Sequence, residues 1–194
     1  MEFTLPVSRE QIGALLESYR PRLERLICVR ASEALFYKMN LDDIFQELYL
    51  SAYYRIEYIN ASPEVPLMIK LRTILLQTLI DLERRYLAAQ KRAPGREASP
   101  GNSSNISFLN NLADSLTSPS KKIAKLERAE IVRCAMRELS PTDQEILILR
   151  HFEQLSAQEC SAALNIDTSA MGMRYLRALR KLKSLLESNP EFQL

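Results

Sequence analysis

Residues 139–186 read LSPTDQEILILRHFEQLSAQECSAALNIDTSAMGMRYLRALRKLKSLL, and this stretch decides the fold. Three helical patterns lie in it, separated by two short breaks. Ser140 stands where a helix N-cap belongs, with Pro141 at the first helical position and Asp143 at the third. Ile146, Leu147 and Arg150 then step along one side. Ser156 opens the next helix, and Glu159, three residues on, completes a capping box. Asn165 falls where that helix must stop and turn, and asparagine tolerates the left-handed conformation better than most residues. Asp167 or Ser169 caps the third helix, in which Met171, Tyr175, Ala178, Leu182 and Leu185 recur at three- and four-residue steps. A short helix, a tight turn and a second amphipathic helix make a helix-turn-helix.

The last of these helices carries Arg174, Arg177, Arg180, Lys181 and Lys183, with no acid between Thr168 and Leu186. A recognition helix needs such charge, because neutralising phosphates supplies most of the affinity for DNA. A solvated basic face on a core helix would show the same residues. The helix-turn-helix pattern in front of it favours recognition. Arg174 and Arg177 are the candidates for base contact, with Ser169 near the helix start. Arg180 and Lys181 suit phosphates, which position a protein without specifying sequence.

Working outward, the 194 residues suffice for one ordinary domain or two small ones. Four glycines and no tryptophan argue against a sheet-rich fold or a glycine-rich phosphate loop. The net charge of +2 is low for a DNA-binding protein, so its uneven distribution matters more than its total. Cys28, Cys134 and Cys160 form no metal-binding spacing and are expected as reduced core thiols of a cytosolic protein. No signal-peptide pattern opens the chain, and no apolar run reaches membrane-spanning length.

The N-terminal half is expected to be helical as well. Ser8, with Gln11 three residues on, can cap a helix carrying Ile12, Leu15, Leu16, Tyr19, Leu23, Leu26 and Ile27, which Pro21 is expected to kink or split. Asn40 caps a second helix with an apolar stripe of Ile44, Phe45, Leu48, Tyr49, Ala52 and Ile56. Asp42, Asp43, Gln46 and Glu47 crowd its first turns, where acids complement the helix dipole. A loop over 60–66 leads to a long helix starting at Pro66, with Leu67, Leu71, Ile74, Leu75, Thr78, Leu79, Leu82 and Tyr86 as its buried side. Arg72, Arg84, Arg85, Lys91 and Arg92 make it increasingly basic. Tyr86 can stack on a base, and its helical phase suits a core position equally. Residues 93–105, rich in Pro, Gly, Ser and Asn, read as a linker, followed by a short helical turn over 106–116 and a helix over 121–138. The fold class is therefore all-α: two small helical domains joined by a flexible linker, the C-terminal one a helix-turn-helix.

Two stretches resemble the sigma-70 family of RNA polymerase sigma factors, extracytoplasmic-function (ECF) type. The segment from Leu139 through Glu145, Arg150, Leu155 and Glu159 to Leu164, Asn165, Met171, Arg174, Arg177, Ala178 and Leu182 resembles its promoter −35-binding domain. Asn40 to Tyr53, through Asp43, Gln46 and Glu47, resembles its core-polymerase-binding helix. The resemblance implies a region 2-like domain over 1–93, a linker over 94–120 and a region 4-like domain over 121–194. It implies bacterial core RNA polymerase and promoter DNA as partners, an anti-sigma factor as a further one, no membrane partner, no cofactor and a cytoplasmic location. Asp42, Asp43, Gln46 and Glu47 would meet polymerase. Arg84, Arg85 and Tyr86 would meet the −10 element, and Ser169, Arg174, Arg177, Arg180 and Lys181 the −35 element. The family has glycine where Asn165 stands and often a polar or basic residue where Gly172 stands, so the base contacts of this chain differ or Gly172 admits a close approach.

A stand-alone helix-turn-helix regulator, binding a palindrome as a dimer, explains the C-terminal domain equally well. It leaves the acidic 42–47 motif and the basic 84–92 segment unexplained. An enzyme is disfavoured: His151 is the single histidine, placed for a structural or helix-capping role, and no cysteine has an evident histidine partner.

Overall fold

The computed structural model describes residues 6–90 and 131–188, and every regular element among them is helical. The linker and the helical turn expected over 93–120, with Lys91 and Arg92, lie outside the described residues. The chain divides into two units, Met1–Asn105 and Ile106–Leu194, each treated by itself.

The first unit opens with a 3-10 turn, Arg9–Gln11, in which the Gln11 side chain accepts the Ser8 N–H at 2.9 Å. Helix α1 (Ile12–Arg30) follows and buries Ile12, Leu15, Leu16, Leu23, Leu26, Ile27 and Val29. Pro21 does not split it, contrary to expectation. An interior proline costs about 3 kcal/mol, whereas each buried aliphatic side chain returns roughly 1.5–3 kcal/mol. Buried residues on both sides of Pro21 share one core, and Pro21 lies on the exposed side together with Glu17, whose carbonyl loses its donor.

A short helix, α2 (Glu33–Phe36), which the pattern did not announce, follows α1. In α3 (Leu41–Tyr54) the expected cap forms: Asn40 Oδ1 accepts the Asp43 N–H at 2.8 Å, and the Asp43 carboxylate accepts the Asn40 N–H at 3.2 Å. Ile44, Phe45, Leu48 and Ala52 are buried. Tyr49, expected on that stripe, is exposed and stacks on Tyr53, because its phase puts it beside the buried face. Ile56 belongs to a separate helix, α4 (Ile56–Asn60). The expected loop therefore begins one residue late. Asn60 itself clasps Val7, accepting its N–H at 2.7 Å and donating to its carbonyl at 2.9 Å.

Helix α5 (Leu67–Gln90) begins one residue beyond Pro66. It packs against α1, α3 and α4, burying Met68, Leu71, Ile74, Leu75, Thr78, Leu79 and Leu82. Leu67 and Tyr86 are half-buried rather than core. Lys70 is 2% exposed, a burial no hydrophobic pattern would announce. Its ammonium donates to the carbonyls of Ile59, at 2.8 Å, and Ala61. Those groups end α4, where the last carbonyls of a helix lack an intrahelical donor. Burial pushes the Lys70 pKa down, with Glu64 opposing.

The second unit comprises α6, described over 131–138, α7 (Pro141–Leu147), a π-helical turn (Ile148–Phe152), α8 (Ala157–Leu164) and α9 (Thr168–Glu187). Its core gathers Met136, Leu139, Ile146, Leu147, Leu149, Leu155, Cys160, Met171 and Ala178. The expected caps are present. Ser140 accepts the Asp143 N–H, Ser156 and Glu159 form the reciprocal box, and Asn165 takes the left-handed conformation with φ 50°. Asp167, not Ser169, caps α9, accepting the Ala170 N–H at 2.8 Å. The cysteines depart from expectation: Cys160 is buried, but Cys28 is half-buried and Cys134 exposed. Cys134 sits one residue before the buried pair Ala135 and Met136, on the outer side of the helical turn.

Candidate nucleic-acid interface

Helix α9 lies against α7 and α8 through Met171, Ala178 and the half-buried Tyr175, Leu182 and Leu185. The opposite side is exposed and carries Ser169, Met173, Leu176, Arg180 and Lys183. Ser169 thus stands on the outward face near the helix start and Arg180 further along it. Arg174 is half-buried at the margin. Met173 is 69% and Leu176 47% exposed, and the sequence reading missed both. Their phase could have revealed them: positions 173 and 176 fall off the 171, 175, 178, 182 stripe.

Arg177 and Lys181 occupy a different position. Both reach back to Asp143, whose side chain is fully buried: Arg177 Nη2 lies 3.4 Å from one carboxylate oxygen and Lys181 Nζ 2.5 Å from the other. The hydrogen bond from Lys181, then that involving Ser140 and the nearby charges, hold the Asp143 pKa below the ordinary carboxylate value against the effect of burial. The two cations are themselves half in solvent, so they form a thin cover. Leaving a buried carboxylate without its partners costs about 3–5 kcal/mol in deep sites, and the thin cover puts Asp143 toward the lower end.

His151 is not a helix cap. Its Nε2 lies 3.1 Å from the Tyr175 hydroxyl, its ring rests against the Tyr175 ring, and Arg150 stands over the same ring at 5.8 Å. Burial first, and then the Arg150 charge, push the His151 pKa down. The Arg150 guanidinium also donates to the Leu155 carbonyl, which fixes the turn between α7 and α8. Among the described residues no group of three or more His, Cys, Asp or Glu side chains could hold a metal ion.

Gly172 meets open space: a Cβ built there touches nothing within 4 Å. Its replacement by alanine removes the backbone entropy cost of a helical glycine without a clash. Gly172→Ala is expected to stabilise the second unit by about 0.8–1 kcal/mol, read as increased amide-exchange protection of α9. A destabilised α9 would show that the glycine accommodates a neighbour.

In the first unit the four acidic-motif residues share α3 but not one environment. The Asp42 carboxylate is 74% exposed and pairs with Arg20 at 2.5 Å. Arg20 also binds Glu17 and Glu24, lies over the Phe45 ring, and has its pKa raised by Glu24 foremost, then Asp42 and Glu17. Asp43 is folded back as a cap, so the dipole-and-cap role holds for it. Gln46 is exposed. Glu47 pairs with Arg85 at 3.3 Å, which joins one residue expected at polymerase to one expected at DNA. Arg84 is exposed beside Arg85, and Tyr86 is half-buried. Such surface pairs contribute about 0–1 kcal/mol, so they are easily exchanged for other partners.

Comparison with known proteins bears on the second unit above all. Residues 129–182 match the family model "Sigma-70, region 4". The RNA polymerase sigma-E factor of Streptomyces antibioticus is 37% identical over 54 residues, which is 28% of this chain and 30% of that protein. The RNA polymerase sigma-E factor of Streptomyces avermitilis is 36% identical over 53 residues, 27% of this chain and 30% of that protein. The match thus spans less than a third of these relatives. A solved structure of CnrH in complex with the cytosolic domain of CnrY has a similar fold, with a TM-score of 0.52 over 94% of this chain and 91% of that one at 19% identity. The helix-turn-helix of this chain, capped at Ser140, Ser156 and Asp167, is what that family model matches, and by it the second unit is similar to region 4 of the sigma-70 family.

Proposed function

We propose that the chain is a promoter-specificity subunit of bacterial RNA polymerase. The observation that carries this reading is the region 4 match on residues 129–182, which falls on a helix-turn-helix whose last helix turns cations outward. In this reading residues 121–194 enter the major groove of the −35 element. Residues 1–93 bind core polymerase through Asp42, Gln46 and Glu47, and the −10 element through Arg84, Arg85 and Tyr86. Residues 94–120 connect the two. The protein performs no chemistry and works in the cytoplasm. No helix among the described residues is long and apolar enough to cross a membrane. The likeness to CnrH, solved with the cytosolic domain of CnrY, supports an anti-sigma protein as a further partner.

The test is a pull-down with bacterial core RNA polymerase. The residues chosen must leave the fold alone, so Asp43, which caps α3, is spared. Wild type is expected to be retained, and Asp42→Ala combined with Gln46→Arg to lose about tenfold or more in affinity, on the order of 1.4 kcal/mol, with helix content unchanged. A wild-type chain that ignores polymerase but binds a palindromic duplex as a dimer would instead establish a stand-alone regulator.

A further inference from the structure

We propose that Asp143 is a positioning residue of the DNA interface: buried under α9, it retains Lys181, and more loosely Arg177, in an internal ion pair. The phosphate contacts of the helix then fall to Arg180 and Arg174. The inference rests on the DNA-binding reading above and refines it.

The geometry carries the argument. Arg177 and Lys181 are four residues apart on α9, so both head groups descend on the same side, and each takes one oxygen of the same carboxylate. The bonds differ, at 3.4 Å for Arg177 and 2.5 Å for Lys181, so Lys181 is the more firmly held. Asp143 is fully buried, and its backbone N–H is fixed by the Ser140 cap at the start of α7, so the carboxylate cannot follow a departing lysine into water. A phosphate competing for Lys181 therefore strips a buried anion of its closest counter-charge. Arg180 faces outward on the same helix, and among the described residues no acid pairs with it. Asp143 thereby sets how many cations the recognition helix spends on DNA, and it orients α9 upon α7.

Salt dependence distinguishes this from a merely structural role, because each phosphate neutralised adds about 0.9 to the slope of log affinity against log salt. The probe is a fluorescein-labelled duplex of mixed sequence, about 30 base pairs long, titrated with the full chain from roughly 50 to 200 mM salt. Lys181→Gln is expected to leave the wild-type slope unchanged, whereas Arg180→Gln lowers it by about 0.9. Asp143→Asn is expected to steepen the slope by about 0.9, and Lys181→Gln placed on top of it to cancel that gain. A loss of about 0.9 in slope from Lys181→Gln alone overturns the proposal while leaving DNA binding intact, and it does so even if Asp143→Asn does not fold. Wild type with no salt-dependent affinity for the duplex would overturn the DNA reading itself, and this inference with it.

Discussion

Lys70→Ala is expected to destabilise the first unit by about 3 kcal/mol, the combined effect of the buried Ile59 carbonyl and the partly exposed Ala61 carbonyl losing their shared donor and of a cavity where the stem stood. The carbonyls of Ile59 and Ala61 close a five-residue helix, and Ser62, next in the chain, has a positive φ of 51°. Its other ties are the Asn60 clasp on Val7 and the Val65 N–H on the Ser62 carbonyl at 3.0 Å. Lys70→Met keeps most of the volume and loses the bonds, so it should cost about 2 kcal/mol. Seven of the eight tyrosines lie in residues 6–90, so near-ultraviolet circular dichroism during urea unfolding follows this unit and not the other. If Lys70→Met were as stable as wild type, the ammonium would be a tolerated burial rather than the fastener of the loop. In the proposed function this loop precedes the −10 contacts, so its loosening should also slow promoter opening.

The second large effect is expected in the helix-turn-helix. Leu149 is fully buried, and its carbonyl accepts the Leu155 N–H at 2.9 Å, so side chain and backbone both hold the turn between α7 and α8. Leu149→Ala should remove about 3–4 kcal/mol, within the range for a leucine whose site cannot collapse. Small units bury a limited core and have little stability to spare, so amide protection should fall throughout α8 and duplex affinity should fall with it. Leu176→Ala is the control: its side chain is 47% exposed, and its stability change should stay within about 0.5 kcal/mol. Equal losses from the two would mean that α9 buries a different face.

Capped, periodic segments were legible in the sequence because their signals are local. Ser140, Ser156, Asn165 and Asn40 behave as their spacing implies, since a cap is decided within four residues. What was illegible depends on distance. Nothing near Lys70 says that two carbonyls will need it, and nothing near Asp143 says that residues 177 and 181 will close over it. Asp143 reads as a helix-start acid, which it is; its burial comes from α9. Pro21 misled in the other direction, because a local penalty was outweighed by a shared core. For the same reason the candidate DNA residues could be gathered on one helix from charge alone, but not sorted. Periodicity distinguishes the inner from the outer face, and only the fold shows which cations are already engaged.

The π turn at Ile148–Phe152 has a consequence for how chains of this kind can be lined up and varied. A π turn is an α-helix with one residue inserted, and here the Glu153 N–H reaches the Ile148 carbonyl five residues back at 3.0 Å. One residue is about 100° of helical phase. The turn therefore works as an index mark, fixing the azimuth at which the chain leaves α7. A one-residue deletion between 148 and 152 would keep composition, charge and caps almost intact while swinging everything downstream by that angle. His151 would leave Tyr175, and the outward row of α9 would point elsewhere. Length in this turn is thus a quantity as informative as residue identity: a gap placed here changes what the protein faces.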